Sequence, residues 1–249
     1  MASIKLGILV PSSNTNLEPL TFAILSALPN VSVHFSRFPV THIALSPAAL
    51  SQFDDTAILA AAQLLADAGV DAIGWSGTSA GWLGFEADER LCQRIEEKTS
   101  IKATTSVLAL NKLLDMSREQ DRNSLQFGLV TPYLHDVQAA ILENYEKSGY
   151  KIAAESHLNK TVNVEFAVVG EDALDQQMDE VIGQLGHGSK VVSTFCTNLR
   201  AAQRVQHWED KYDGLCVFDT TATVVWDMLR MTGVEYKSTI KGWGKLFEM

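Results

Sequence analysis

The sequence predicts an α/β fold of two similar lobes, each a parallel sheet of about four strands flanked by helices and related by a pseudo-two-fold axis. Three observations predict it. Short apolar, β-branched runs alternate with longer helical patterns along the chain. The alternation restarts after a charged stretch from Ser117 to Ser124. Matching motifs recur at an offset of about 116 to 120 residues.

The elements follow in order. Ile4 to Val10 reads as a buried strand, and Pro11-Ser12-Ser13-Asn14-Thr15-Asn16 as a polar turn. Leu17 to Leu28 is a helical pattern with Pro19 in its first turn. Val31 to Phe38 alternates like a strand, and Pro39 to Pro47 is a loop. Ala48 to Ala68 reads as one alanine- and leucine-rich helix stopped by Gly69. Val70 to Trp75 is a strand, followed by the turn Ser76-Gly77-Thr78-Ser79-Ala80-Gly81. Ala87 to Thr99 is a helix, Ile101 to Thr104 a short strand and Ser106 to Met116 a helix.

After the linker, Leu125 to Val130 is a strand, Thr131-Pro132-Tyr133 a turn and Leu134 to Gly149 a helix. Tyr150 to His157 is a strand, and Asn159 to Asn163 a polar loop. Asp172 to Leu185 is a helix that Gly186-His187-Gly188 stops. Lys190 to Phe195 is the strand before Cys196, and Leu199 to Lys211 the helix after it. Leu215 to Phe218 is a strand and Thr223 to Met231 a helix.

The repeat aligns Val10-Pro11-Ser12 with Val130-Thr131-Pro132, and Ile73 to Thr78 with Val192 to Thr197. It also aligns Ala103 to Leu108 with Asp219 to Val224. The lobes are expected to span residues 1–116 and 117–249, the C-terminal helix and tail being free to cross back onto the first. Ligands of open α/β sheets sit beyond the carboxyl ends of the strands, so the facing turns would enclose one cleft. Gly77 and Cys196 then face each other across it.

Composition narrows the function. The 249 residues suffice for a sizeable core. A net charge of −10 argues against a nucleic-acid partner. No apolar run reaches the roughly 20 residues of a membrane span, and no signal peptide is recognisable, so a cytoplasmic protein is expected. Cys92, Cys196 and Cys216 are odd in number and form no C-x-x-C pair, and the six histidines show no zinc-binding spacing. Neither a disulfide framework nor a metal is expected.

Cys196 draws attention because it ends an apolar strand and precedes a helical pattern. Free N–H groups at the start of a helix favour an anion, so the thiol is expected to have a lowered pKa and to exchange protons near neutral pH. The plain competitor is a packed core cysteine. Thr78 and Ser79 would equally serve as helix caps, Tyr133 as a packed turn aromatic, and Asn14 and Asn163 as Asx-turn amides. Cys92 and Cys216 read as core residues, and Arg37 as a surface ion pair with a weaker claim on a substrate carboxylate. Trp75, Trp82 and Phe85 read as core, or else as an apolar wall of the cleft.

Taken together, Pro11-Ser12-Ser13-Asn14-Thr15, Gly77-Thr78-Ser79, Pro132-Tyr133, Asn163 and Cys196-Thr197 resemble the aspartate/glutamate racemase superfamily. Within it they are similar to the branch holding maleate cis-trans isomerase and arylmalonate decarboxylase. The resemblance runs over nearly the whole chain, including the ending Gly242 to Phe247. It implies that Cys196 is the catalytic acid, base or nucleophile. It implies that Gly77 stands where racemases and isomerases carry a second cysteine, as in the decarboxylase pattern. It also implies that Thr78, Ser79, Tyr133 and the backbone beside Cys196, at Thr197, hold a carboxylate as it becomes an enediolate. Asn14, Tyr133 and Asn163 fit the substrate-binding pattern of maleate isomerases instead, so the two patterns are mixed.

The expectation is a cofactor-independent enzyme acting on a small mono- or dicarboxylate through an enediolate-like intermediate, with a single catalytic cysteine. Arylmalonate-decarboxylase-like chemistry comes first. Maleate-isomerase-like chemistry and a dicarboxylate-binding protein without chemistry are the alternatives. Homo-oligomerisation is left open.

Overall fold

The structure, a computed structural model, describes residues 3–53, 55–120, 126–185 and 190–249. Its first series runs β1 (Ile4–Pro11), α1 (Leu17–Leu25), β2 (Val31–Phe38), α2 (Pro47–Leu50), α3 (Asp55–Asp67) and β3 (Ala72–Trp75). It continues with α4 (Ala80–Leu83), α5 (Phe85–Thr99), β4 (Ala103–Thr105) and α6 (Ser106–Gln120). The second runs β5 (Gln126–Thr131), α7 (His135–Lys147), β6 (Lys151–His157), α8 (Asn163–Phe166), α9 (Glu171–Leu185) and β7 (Val191–Thr194). It ends with α10 (Val205–Lys211), β8 (Cys216–Asp219) and α11 (Thr220–Met231).

The two series build the same object. One sheet has the order β2-β1-β3-β4 and the other β6-β5-β7-β8, four strands each. Every strand pair is parallel. Helices cover both faces, which explains why β1 and β5 read as continuous apolar runs; Leu6, Ile8, Phe127 and Leu129 are wholly buried. Because all strands point one way, the turns after β1, β3, β5 and β7 gather at one edge of each sheet.

The last helix joins the two units. α11 packs against α1, α6 and β3 of the first series as well as against β8. Gly74 permits this approach, since a Cβ there would lie 2.5 Å from Met228 Sδ. Thr104 Oγ1 donates to Asp227 Oδ2 at 2.6 Å, and Thr223 Oγ1 to the Ser106 carbonyl at 2.9 Å.

Some sequence expectations are corrected. The single helix over Ala48 to Ala68 is interrupted: α2 is followed by a 3-10 turn, Ser51–Phe53, before α3 begins. Gln52 lies in this interruption. Its side chain accepts from Thr41 N at 2.7 Å and donates to the carbonyls of His42 and Ala49, tying this segment to the preceding loop. The helix expected from Leu199 starts later, with a 3-10 turn at Ala202–Arg204 and then α10. Asn163, placed in a loop by the sequence, begins α8. The expected linker from Ser117 is helical to Gln120; its remainder at 121–124, Leu125 and the stop signal Gly186-His187-Gly188 lie outside the described residues. No helix among the described residues is long and apolar enough to cross a membrane.

Candidate active site

The chain reverses after each parallel strand, and those reversals build one small cavity. β3 runs into Ser76-Gly77-Thr78-Ser79, β5 into Pro132-Tyr133 and β7 into Phe195-Cys196-Thr197. Gly77, Thr78, Ser79, Tyr133, Asn163, Cys196 and Thr197 all line the same cavity. The space is about 20 Å3, room for roughly one water molecule. Its remaining wall is apolar: Val40, Ile43 and Phe53 from the β2–α3 segment, with Pro11, Trp75 and Trp82. Residues Val40, Ile43 and Phe53 were missed by the sequence reading. Their place depends on the Gln52 tie and on Ile43 N donating to the Thr161 carbonyl at 2.9 Å.

A polar run crosses the cavity. Thr78 Oγ1 and Tyr133 OH lie 2.6 Å apart, and Tyr133 and Cys196 line the same cavity. Ser79 stands at the N-terminus of α4 without a side-chain capping bond, so its hydroxyl is not consumed as a cap. Burial pushes the Tyr133 phenol well above its ordinary range, the nearby Cys196 adding to the shift. Burial likewise pushes the Cys196 thiol up to about 11, against the pull of Tyr133 and of the backbone N–H groups of Asn198 and Leu199.

That corrects the expected low thiol pKa. No helix begins at Leu199, whose N–H donates to the Cys196 carbonyl at 3.2 Å, and burial of the thiolate outweighs the pull of the nearby backbone N–H groups. The Asn198 side chain is committed elsewhere. Its Oδ1 accepts from Thr15 N at 3.0 Å and Asn16 N at 3.2 Å, and its Nδ2 donates to the Asn163 carbonyl at 2.7 Å. This fully buried amide pins the Cys196 turn to the turn after β1. The only sequence signal for it was an asparagine following Cys-Thr.

Asn14 does not line the cavity. Its Oδ1 accepts from Asn16 N and Leu17 N at the start of α1, an Asx-type role, while its Nδ2 donates to Thr197 Oγ1 at 3.2 Å. Asn163 Nδ2 donates to Ser13 Oγ at 2.8 Å. Arg37 pairs with Glu18 and donates to the carbonyls of Ser12 and Asn14, so it braces the turn rather than facing the cavity. Phe85 stacks on Tyr145, away from the site. Cys92 is buried, and Cys216 is half-buried on β8. Among the described residues no cluster of His, Cys, Asp or Glu is arranged to hold a metal ion.

The sequence profile of arylmalonate decarboxylase matches residues 6–247. The chain belongs to the arylmalonate decarboxylase family. Solved structures share the fold of this family member across nearly its whole length. A cysteine-to-serine mutant of maleate cis-trans isomerase from Nocardia farcinica, with a covalently bound succinylcysteine intermediate, superposes with TM-score 0.85 at 20% identity, covering 98% of each chain. Maleate isomerase from Pseudomonas putida S16, in a cysteine-to-alanine form with maleate, gives 0.82 at 21% identity over 98% of this chain and 97% of that one. A liganded arylmalonate decarboxylase, with a glycine changed to cysteine and a cysteine to serine, gives 0.82 at 20% identity over 98% and 99%. No curated protein sequence matches the chain. This member of the arylmalonate decarboxylase family thus shares its fold with maleate isomerases and with arylmalonate decarboxylase.

Proposed function

We propose that this family member is a cofactor-independent decarboxylase of small malonate-type dicarboxylates. One observation carries the reading: a single thiol, Cys196, held protonated by burial, shares its cavity with a glycine at residue 77 that has no proton to give or take. Decarboxylation needs one proton donor once the C–C bond has broken. Isomerisation by addition needs a thiolate, which this site disfavours.

In this reading the retained carboxylate accepts hydrogen bonds from the hydroxyls of Thr78, Ser79 and Tyr133. The other carboxylate lies against Val40, Ile43 and Phe53, where its charge is poorly solvated. The bond between Cα and that carboxylate breaks and CO2 leaves. The electron pair moves onto the retained carboxylate as an enediolate, which the hydroxyl donors stabilise, each by about 3 kcal/mol. The Cys196 S–H bond then breaks as a C–H bond forms at Cα, and the thiolate recovers a proton from solvent. A malonate exceeds the present cavity, so Val40, Ile43 and Phe53 must move aside for entry.

The test is CO2 release from a panel of substituted malonates by wild type and Cys196→Ser. Turnover that falls at least about a hundredfold in the variant is expected. No turnover of any malonate rejects the proposal.

A second reading, maleate isomerisation, draws on one observation: Asn14, Tyr133, Asn163, Cys196 and Thr197 form one neighbourhood of contacts. Fumarate appearing from maleate by NMR at high enzyme concentration supports it. Thermal stabilisation by a dicarboxylate with no reaction over days indicates binding without chemistry.

A further inference from the structure

The place of a residue-77 side chain is already filled. A Cβ built on Gly77 would lie 2.0 Å from Trp75 Cζ2 and 2.4 Å from Cε2, far inside the 3.0 Å that real Cβ contacts respect. The indole of Trp75, two residues upstream, therefore stands against Gly77 on the wall of the cavity. It is held there. Trp75 ends β3, is 1% exposed, and packs on Phe38 with ring centroids 5.0 Å apart.

The ring brings a polar atom with it. Nε1 is bonded to Cε2, so the indole N–H lies beside Gly77. Trp75 Nε1 is buried and has no hydrogen-bond partner among the described residues. The same holds for Nε1 of Trp82, the other tryptophan lining the cavity, which is 8% exposed and wedged between Phe53 and Tyr133. Buried donors are normally satisfied, and an unsatisfied one calls for an explanation. Both belong to side chains that line one cavity, and neither N–H exposes surface to it, so an acceptor that arrives as the cavity opens for a ligand would satisfy them.

We propose that Trp75 and Trp82 determine specificity, their indole N–H groups receiving a neutral oxygen acceptor on the α-substituent of the substrate. The proposal rests on the decarboxylase reading and refines its substrate class. No lysine, arginine or histidine lines the cavity, so a third carboxylate would bring charge without a counter-charge. An ether, ester, amide or ketone oxygen brings none. Three aromatic side chains, Phe53, Trp75 and Trp82, already occupy the apolar wall, so a compact substituent fits better than an aryl ring.

The discriminating pair is methoxymalonate and ethylmalonate, alike in size and different in one acceptor oxygen. Wild type is expected to prefer methoxymalonate at least tenfold in kcat/KM. Trp75→Phe and Trp82→Phe keep the ring and delete the N–H; each is expected to lower that ratio severalfold, through KM of the methoxy substrate. A ratio near one in wild type, or a ratio that both variants leave unchanged, overturns the proposal. A second readout needs no turnover. In 15N-labelled Cys196→Ala protein, methoxymalonate is expected to shift the Trp75 and Trp82 indole N–H resonances downfield, while ethylmalonate does not. Absence of those shifts at saturation overturns the proposal. If no malonate reacts but the shifts appear, the decarboxylase reading fails and the recognition stands.

Discussion

The hydroxyls of Thr78 and Tyr133 lie 2.6 Å apart although one follows β3 and the other β5. This contact ties the first sheet's turn to the second sheet's, in the cavity that Cys196 also lines. In the decarboxylase reading, this places the proposed oxyanion donors and the proposed proton donor around one cavity.

Removing the bridge should cost catalysis more than folding. Tyr133→Phe is expected to lower kcat for CO2 release by about 10²–10³, the usual loss for one oxyanion donor. The unfolding free energy should fall by no more than about 1–3 kcal/mol, from the partner hydroxyl left behind. Stopped-flow pH-indicator kinetics and urea melts measure the two. A kcat loss of less than fivefold would remove Tyr133 from the oxyanion site.

The pH profile separates the two chemistries. The Cys196 thiol is raised to about 11 by burial, so it stays protonated through the neutral range. An acid in that state gives a kcat/KM with no rise attributable to the thiol between about pH 7 and 10, and a fall as the pH nears 11. A nucleophilic thiolate would give the opposite slope, climbing toward pH 11. The profile should be recorded with wild type and Cys196→Ser.

Gly77 and Trp75 should be energetically coupled. Gly77→Cys drives its Cβ into the indole, and overpacking of this kind costs about 1–3 kcal/mol. Trp75→Ala leaves a cavity that costs about 3–5 kcal/mol. The double variant is expected to be more stable than the sum of the singles by at least about 1 kcal/mol, since each change relieves the other. Additive losses in chemical denaturation would show that the ring and residue 77 do not compete for space.

A carboxyl remote from the chemistry sets a pH slope of stability. Asp88 is buried, its Oδ2 has no hydrogen-bond partner among the described residues, and burial pushes its pKa up to about 7 against the pull of the Thr105 hydroxyl. The folded state thus holds this proton more tightly than the unfolded chain. The stabilisation is complete below about pH 4 and is lost as the pH rises through about 7. Asp88→Asn is therefore expected to unfold with a smaller loss of stability between pH 4 and 8. The difference should approach, at most, about 4 kcal/mol. Parallel slopes for the two proteins in urea titrations would contradict the linkage.

Much of the architecture is legible in the sequence. Val31–Phe38 was placed to the residue, because alternation and its flanking turns are local signals. The repeat of the strand–turn units pointed to two sheets of the same order. The faults came where side chains found partners outside the local helical pattern. Alanine and leucine favour helix from Ala48 onward, yet Gln52 finds backbone partners in the preceding loop where the run is interrupted. The same holds after Cys196, where Asn198 binds across to Thr15, Asn16 and Asn163 and delays the helix.

The sequence by itself determined the alternation of strands and helices, the duplicated unit, and which residue types end the strands, because these depend on neighbours a few positions apart. Only the tertiary structure decided that the thiol is protonated, that Asn14 braces a turn, and that an indole occupies the side-chain space at residue 77. Those three outcomes depend on burial and on contacts across the sheets, and neither quantity exists until distant segments have packed.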